Sequence, residues 1–437
     1  MKAVIQAGGQ GTRLKEITGD RIPKPLAIIN GQPILEFQIL QLKKYGVDEL
    51  YIIVSHLGGQ IVDYLGEGEK YGINIHYIFE DFPLGSAGAL YFLKPYIKGE
   101  NFLLVFGDII FDIDWNRMLL FHIQKKAQVT MFVHPNSHPG DSDIVLMDND
   151  QRVVSIDSKE NKRDYWYSNR VNAGLYILSD KVLAEIENAK KLDLEHDLLL
   201  KMAKQEKGIY AYISSEYVKD AGTVERFRSI EQDIKKMVPQ RRNLLNKQRC
   251  IFLDRDGTIN QYLGLISDEE HIILIDGAAK AIKKINEMGY LAIIVTNQPV
   301  VARGLCTLGQ VELFHKKIET LLGEAGAYVD DIVFCPHHPH KGYPGENLQY
   351  KVVCSCRKPG IGMIEKMREK YNIDLLGSYM IGDTTTDIMT GINAGLKTVL
   401  LKTGEGGKDG KYQVVSDLEA VDLLQAVNLI IEHENVI

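Results

Sequence analysis

Cys250-Ile251-Phe252-Leu253-Asp254-Arg255-Asp256-Gly257-Thr258 decides how the second half of this 437-residue chain is read. An unbroken run of four apolar residues marks a strand buried on both faces, as in the middle of a parallel sheet. The run ends on two carboxylates two residues apart, so both leave the strand on the same side. A carboxylate placed there can attack phosphorus when a cation screens it, and its neighbour can shuttle the proton of a leaving group.

Working outward, the runs YLAIIVTN (290–297), DIVFC (331–335), SYMIGD (378–383) and TVLL (398–401) follow with helical spacing between them. They read as successive strands of an α/β unit. Polar residues recur at or near their ends: Thr296 in TNQ, Lys358 in CRKP, and Gly382-Asp383 in MIGDTTTD. This ordered set resembles the haloacid-dehalogenase-like phosphohydrolases. The resemblance implies Asp254 as the nucleophile that forms an aspartyl-phosphate and Asp256 as general acid, then base. It implies Thr296 and Lys358 around the transferring phosphoryl group, and Mg2+ on Asp254, the Asp256 carbonyl and Asp383, with Asp387 bracing from outside. The intervals from Asp254 to Thr296, from Thr296 to Lys358 and from Lys358 to Asp383 are 42, 62 and 25 residues, which leaves no room for a large cap domain. A capless fold with an open site is expected.

Four of the five cysteines fall between Cys306 and Cys356. Cys335-Pro336-His337-His338-Pro339-His340 and Cys354-Ser355-Cys356-Arg357-Lys358-Pro359 offer a Cys-x-His and a Cys-x-Cys pair, which fit a closed tetrahedral Zn2+ site stiffening the excursion between them. A disulfide or a set of unrelated thiols is the alternative. DRDGTIN, TNQ, ARG, CPHHP and CxCRKP together narrow the resemblance to the zinc-containing heptose-bisphosphate phosphatases and their histidinol-phosphatase relatives, over about residues 249–437. That implies His337 as the fourth ligand beside Cys335, Cys354 and Cys356, with His338 and His340 close by. It also implies Arg357 at the distal phosphate of the substrate, with Asn297 and Gly264 as further substrate contacts. Pro299-Val300 after TNQ and Tyr262-Leu263-Gly264-Leu265 depart from the family pattern.

In the first half, short apolar runs at 3–5, 51–54, 102–106 and 129–133 alternate with amphipathic stretches, the pattern of a buried, mostly parallel sheet. The first run leads into Ala7-Gly8-Gly9-Gln10-Gly11-Thr12-Arg13-Leu14, with Pro23-Lys24-Pro25 beyond. Glycines there let backbone N–H groups approach phosphate oxygens, and Arg13 and Lys24 can neutralise a triphosphate. The spacing is neither that of a Walker loop nor that of a dinucleotide fingerprint. Glu80, Pro83-Leu84-Gly85-Ser86-Ala87-Gly88-Ala89, Gly107-Asp108 and Lys219-Asp220-Ala221-Gly222-Thr223 accompany it. This combination resembles the sugar-1-phosphate nucleotidylyltransferases over about residues 1–233. The resemblance implies that Gly8, Gly9, Gly11, Thr12, Arg13 and Lys24 grip a nucleoside triphosphate and that Gly85 and Gly88 face base and ribose. It implies Mg2+ between Asp108 and Asp220, and Glu80, Lys159 and Asn172 at the sugar; where the family carries Glu-Lys, this chain has Ser158-Lys159.

The two resemblances imply an α/β protein of two domains. Residues 1–234 would form a Rossmann-like nucleotidyltransferase sheet and residues 249–437 a capless haloacid-dehalogenase-like sheet with a zinc-bound loop. The basic stretch KKMVPQRRNLLNKQR suggests a linker at 235–248, or else a basic helix end packed on one domain. A net charge of -7, with 45% hydrophobic and 25% charged residues, fits a soluble globular protein and supplies no footprint for nucleic acid or an anionic membrane. The N-terminus lacks a signal-peptide pattern and no 18-residue apolar run occurs, so a cytoplasmic enzyme is expected. As the resemblances imply, a phosphatase acting on the 7-phosphate of heptose 1,7-bisphosphate would leave heptose 1-phosphate for guanylyl transfer from GTP. Histidinol phosphate as substrate, CTP or UTP as donor, and a silent binding role for one half stay open.

Overall fold

The computed structural model describes residues 1–9, 14–19, 21–55 and 57–435. The chain forms two compact units: Met1–His134, Asp143–Ser158 and Arg170–Asn243 make the first, and Pro135–Ser142, Lys159–Asn169 and Leu244–Ile437 the second.

The first unit is built on a nine-stranded sheet. Ala3, Val4 and Ile5 are fully buried, which places Lys2–Gln6 in its interior. That strand runs parallel to both neighbours, Glu49–Val54 and Asn101–Phe106, and Asn74–Phe79 extends the parallel part. Beyond Asn101–Phe106 the direction reverses. Val171–Ser179 is antiparallel to it, and Val129–His134 and Ile144–Met147 pair antiparallel to Val171–Ser179. The sheet is therefore mixed where a mostly parallel one was expected. Val171–Ser179 is buried at almost every position, so it lacks the in-out alternation that distinguishes an antiparallel strand from a parallel one in sequence. A separate antiparallel ladder pairs Ile109–Asp112 with Tyr217–Asp220 and sets Asp220 opposite Ile109.

The second unit has six parallel strands in the order Asp331–Cys335, Leu291–Asn297, Cys250–Leu253, Tyr379–Gly382, Lys397–Leu401, Leu418–Ala420. The first five are the strands expected from sequence. Cys250–Leu253 is fully buried. Helices cover the sheet; Ala278–Met288 buries Ala278, Ala281, Ile282 and Ile285, the spacing of one helical stripe. Among the described residues no additional sheet lies between the strands, in keeping with a capless fold. The segment Lys159–Asn169 belongs to this unit: Tyr167 N donates to Thr320 Oγ1 at 3.0 Å, and Thr320 Oγ1 donates back to Tyr167 O at 3.1 Å.

The division between units falls after Asn243, inside the 235–248 stretch. Helix Val224–Lys235 ends where Met237 takes a left-handed conformation, and Pro239 sits in the first turn of a second helix, Val238–Arg242. Asn243 Nδ2 then donates to Asp112 Oδ1 at 2.6 Å. This part of the basic stretch is thus ordered structure of the first unit. Among the described residues no helix is long and apolar enough to cross a membrane.

Candidate active sites

In the second unit the carboxyl ends of three parallel strands deliver Asp254, Thr296 and Asp383, the position where open α/β sheets bind ligands. Asp254, Lys358, Asp383 and Asp387 are all buried. Lys358 Nζ donates to Asp254 Oδ1 at 2.6 Å and also to Asp387 Oδ1. The other oxygen of Asp387 accepts from Thr384 Oγ1 at 2.5 Å and Thr384 N at 3.1 Å, as part of the capping box of helix Thr385–Ala394. Asp387 is therefore committed to Lys358 and to its own helix.

Asp254 is pushed up to about 6 by burial, with Asp387 and Asp256 adding to the rise and Lys358 opposing it. Asp383 is pushed up to about 8 by burial and then by Asp254 and Asp387. Asp383 Oδ2 accepts from Glu405 N at 2.7 Å, whereas Oδ1 is buried with no hydrogen-bond partner. Carboxylate oxygens of Asp254, Asp383 and Asp387 lie within 4.8 Å of one another. Crowded anionic oxygens with one left unpaired are a donor set that suits a hard divalent cation. Gly257 stands against this group at φ 82°, and a Cβ there would lie 2.4 Å from Asp383 Oδ2.

Thr296 Oγ1 accepts from Gln298 Nε2 at 2.9 Å. Asn297 spends both ends of its amide on the Lys358 main chain, donating to Lys358 O at 3.1 Å and accepting from Lys358 N at 3.0 Å. The expected substrate contact thus positions Lys358 instead. Gly264, at φ 76°, lies in an exposed loop whose Tyr262 hydroxyl bonds Glu405, which with burial pushes that phenol up to about 12. Asp256 is surrounded by Arg255, Gln298 and Asn260, which belong to the DRDGTIN and TNQ motifs but had been given no role of their own.

Cys335 Sγ, His337 Nδ1, Cys354 Sγ and Cys356 Sγ form a compact group. Cys356 Sγ is 3.2 Å from Cys335 Sγ, 3.3 Å from Cys354 Sγ and 3.3 Å from His337 Nδ1; Cys335 Sγ is 3.6 Å from both His337 Nδ1 and Cys354 Sγ. Tetrahedral Zn2+ ligation at the usual Zn–S and Zn–N lengths separates ligand atoms by about 3.5–3.8 Å, so the four residues fit the ion. His338 Nδ1 is taken by His340 N at 3.2 Å, which leaves His337 as the histidine of the group. The five cysteines are free thiols. Arg357 Nη1 donates to His337 O at 3.0 Å, tying the expected phosphate-binding arginine to the same cluster.

In the first unit, a cavity of about 540 Å³ is lined by Gly8, Gly9, Lys24, Glu80, Gly85 and Asp108, among others. Lys24 Nζ pairs with Asp108 Oδ2. Ala221 N donates to Asp108 O at 2.7 Å, so the ladder brings Asp108 and Asp220 together. Burial acts to raise Asp220, but the Arg226 guanidinium, 2.8 Å from Oδ2 and 3.0 Å from Oδ1, holds it below the usual carboxylate range. Two adjacent carboxylates, each already matched to a cationic side chain, can exchange those partners for a divalent ion. Glu80, raised by burial, accepts from Leu84 N at 3.2 Å, and a Cβ on Gly8 would sit 2.3 Å from Glu80 Oε2.

Gly88 is buried in the short helix Gly85–Gly88 rather than on the cavity wall. Gly11, Thr12 and Arg13 lie outside the described residues. Asn172 Nδ2 donates to Tyr176 OH at 2.6 Å and to Glu195 Oε1 at 3.1 Å, a buried network in which Glu195 carried no sequence signal. Lys159 is exposed in the segment Lys159–Asn169 of the second unit.

Residues 2–237 match the nucleotidyl transferase family, and residues 355–424 match a HAD-hydrolase-like family. The D-glycero-beta-D-manno-heptose-1,7-bisphosphate 7-phosphatase of Escherichia coli (strain K12) is 38% identical over 157 residues, which are 36% of this chain and 80% of that protein. Its Pasteurella multocida (strain Pm70) counterpart is 38% identical over 177 residues, 40% of this chain and 93% of that protein. Among solved structures, HddC from Yersinia pseudotuberculosis is similar at 27% identity with a TM-score of 0.47, covering 53% of this chain and 99% of that chain. The D,D-heptose 1.7-bisphosphate phosphatase from B. bronchiseptica, complexed with magnesium and phosphate, is similar at 29% identity with a TM-score of 0.38, covering 43% of this chain and 99% of that chain.

Proposed function

We propose that this chain, which belongs to the nucleotidyl transferase family through residues 2–237 and to the heptose-bisphosphate 7-phosphatase family through its C-terminal part, catalyses two consecutive steps of nucleotide-sugar biosynthesis. The second unit removes the 7-phosphate of D-glycero-D-manno-heptose 1,7-bisphosphate. The first transfers GMP from GTP to the resulting heptose 1-phosphate and releases pyrophosphate. Both steps run in the cytoplasm.

The observation that carries the phosphatase half is the convergence of Asp254, Lys358 and Asp383 at one sheet edge, with Asp383 Oδ1 unpaired. A carboxylate oxygen of Asp254 attacks phosphorus while the bond to the sugar oxygen breaks and Asp256 protonates that oxygen. Water then attacks the aspartyl-phosphate and gives its proton to Asp256, freeing Asp254 and inorganic phosphate. Lys358 balances the charge of the transferring group, and Thr296 donates to it. Asp254, Asp383 and the Asp256 carbonyl would hold Mg2+, which supplies charge screening between carboxylate and phosphate. Cys335, His337, Cys354 and Cys356 would hold a structural Zn2+ that fixes the chain entering Arg357 and Lys358.

In the first unit Gly8, Gly9 and Lys24 receive the triphosphate, and Asp108 and Asp220 would hold a second Mg2+ that neutralises charge at the α-phosphate. The sugar phosphate oxygen attacks that phosphorus as the bond to pyrophosphate breaks. The test is incubation of the full chain with the bisphosphate, Mg2+ and the four common nucleoside triphosphates, with mass identification of the product. GDP-heptose is expected. A CDP- or UDP-sugar would overturn the guanine assignment, and absence of phosphate release would overturn the phosphatase half.

A further inference from the structure

Asp254 and Asp256 leave the same strand end, yet each meets a different cation. Asp254 faces Lys358. Asp256 faces Arg255, whose side chain has no solvent exposure at all. Arg255 Nε donates to Asp256 Oδ1 at 3.1 Å, and Nη2 lies 2.8 Å from both Asp256 oxygens. The same Nη2 donates to Gln298 Oε1 at 3.0 Å. Gln298 Nε2 in turn donates to Asp256 Oδ2 and to Thr296 Oγ1, both at 2.9 Å, and Asn260 Nδ2 reaches Asp256 Oδ1 at 2.9 Å. Three side chains therefore hold one carboxylate, and one of them ties it to the neighbouring strand end.

On its inner side Arg255 Nη1 lies 3.5 Å from His315 Nε2. His315 is packed edge-on against Phe334, and burial, with Arg255 beside it, holds it neutral. A guanidinium taken fully out of water gains little stability for the fold, because its desolvation offsets most of the attraction of its partner. A buried arginine placed on the carboxylate beside the nucleophile instead fixes a geometry.

We propose that Arg255, acting with Gln298, is a positioning residue for the phosphatase step, seating the Asp256 carboxyl where its proton meets the departing sugar oxygen. The proposal rests on the aspartyl-phosphate reading given above. As the phosphorus–oxygen bond to the sugar breaks, its electron pair stays on the sugar oxygen, which takes the proton of Asp256. In the second half, the attacking water passes its proton back to Asp256 as the bond between phosphorus and Asp254 breaks. An alkoxide is a poor leaving group and needs that proton; 4-nitrophenolate leaves without it.

This difference supplies the test. Full-length chain with Mg2+ is assayed on a sugar phosphate and on 4-nitrophenyl phosphate, as wild type and as Arg255→Lys, Arg255→Met and Gln298→Leu. Sugar-phosphate kcat is expected to fall by about 10- to 100-fold in Arg255→Met with KM held within about threefold, while the single-turnover burst of 4-nitrophenolate, which reports the first half alone, changes less than about threefold. Arg255→Lys is expected to recover part of the loss. A 4-nitrophenolate burst slowed as much as sugar-phosphate turnover, or sugar-phosphate turnover within about twofold of wild type, would overturn the proposal. Should Arg255→Met fail to fold, Gln298→Leu leaves the buried charge pair intact and carries the same comparison. Wild-type chain that hydrolyses neither ester would overturn the phosphatase reading itself, and this proposal with it.

Discussion

Lys358 Nζ lies 2.6 Å from Asp254 Oδ1 in a site where the lysine side chain is 3% exposed and the aspartate side chain 11%. The ammonium also donates to Asp387, and the Asn297 amide holds the Lys358 main chain. Burial works against its charge, but Asp254 and Asp387 keep it firmly protonated, so the cation is in place before any substrate arrives.

Lys358→Met therefore removes a side chain that counters two buried carboxylates at once. Phosphate release from the bisphosphate is expected to fall by roughly 10²- to 10³-fold, the scale on which preorganised charge acts in such sites. Nucleotidyl transfer by the same sample serves as the internal control and is expected to stay within about twofold of wild type. Parallel loss of both activities would point to general misfolding instead.

Glu195 supplies a pH dependence in the first unit. Burial pushes its carboxyl from 4.5 up to about 7, with Asp193 adding to the rise and the Tyr176 hydrogen bond opposing it. Between those two values the folded chain holds a proton that the unfolded chain has released. The stabilising contribution is thus complete below pH 4.5 and is lost as pH rises towards 7. Glu195→Gln keeps the acceptor for Tyr176 and Asn172 but does not titrate. The variant is expected to gain on wild type between pH 5 and 7.5 by at most about 3 kcal/mol in denaturant unfolding. Identical pH dependence in the two proteins would count against a neutral Glu195.

Gly8 borders the cavity with no room for a side chain: its Cβ would lie 2.3 Å from Glu80 Oε2, the movable end of that residue. Gly8→Ala should therefore fold, because Glu80 can turn aside, but it fills the space a phosphate or sugar needs. An increase of about tenfold in KM for the nucleoside triphosphate is expected, equal to about 1.4 kcal/mol, with little change in melting temperature. Unaltered nucleotide affinity would exclude Gly8 from the binding surface.

The second unit was the more legible in sequence, for a physical reason. Asp254, Thr296 and Asp383 stand at the ends of apolar runs buried on both faces, and Cys335 ends a partly buried run, so all four could be assigned to strand ends from the runs. Contacts made sideways were not legible. Arg255 stands between the two aspartates of the DRDGT motif, yet nothing in its spacing reveals that it is fully buried against Asp256. Glu195 sits in the first turn of the short helix Leu194–Leu199 and reaches Asn172 across 23 residues, a pairing set by tertiary packing rather than periodicity. The same holds for Tyr167 and Thr320, whose hydrogen bond across 153 residues helps place 159–169 in the second unit.

Zinc removal tests a longer chain of cause. Cys356 lies within 3.3 Å of two other sulfurs and of His337 Nδ1, and Arg357 and Lys358 follow it directly. An ion bound there anchors one end of this stretch, and the Asn297 amide anchors the Lys358 peptide. Protein prepared without chelator is expected to carry about one zinc per chain. A strong chelator should release it, expose the cysteines to thiol reagents and lower phosphatase turnover in proportion, and Zn2+ but not Mg2+ should restore activity. Cys356→Ser is expected to reproduce the loss without chelator. Less than about half a zinc per chain, or full phosphatase turnover after the metal has been removed, would separate the cluster from the positioning of Lys358.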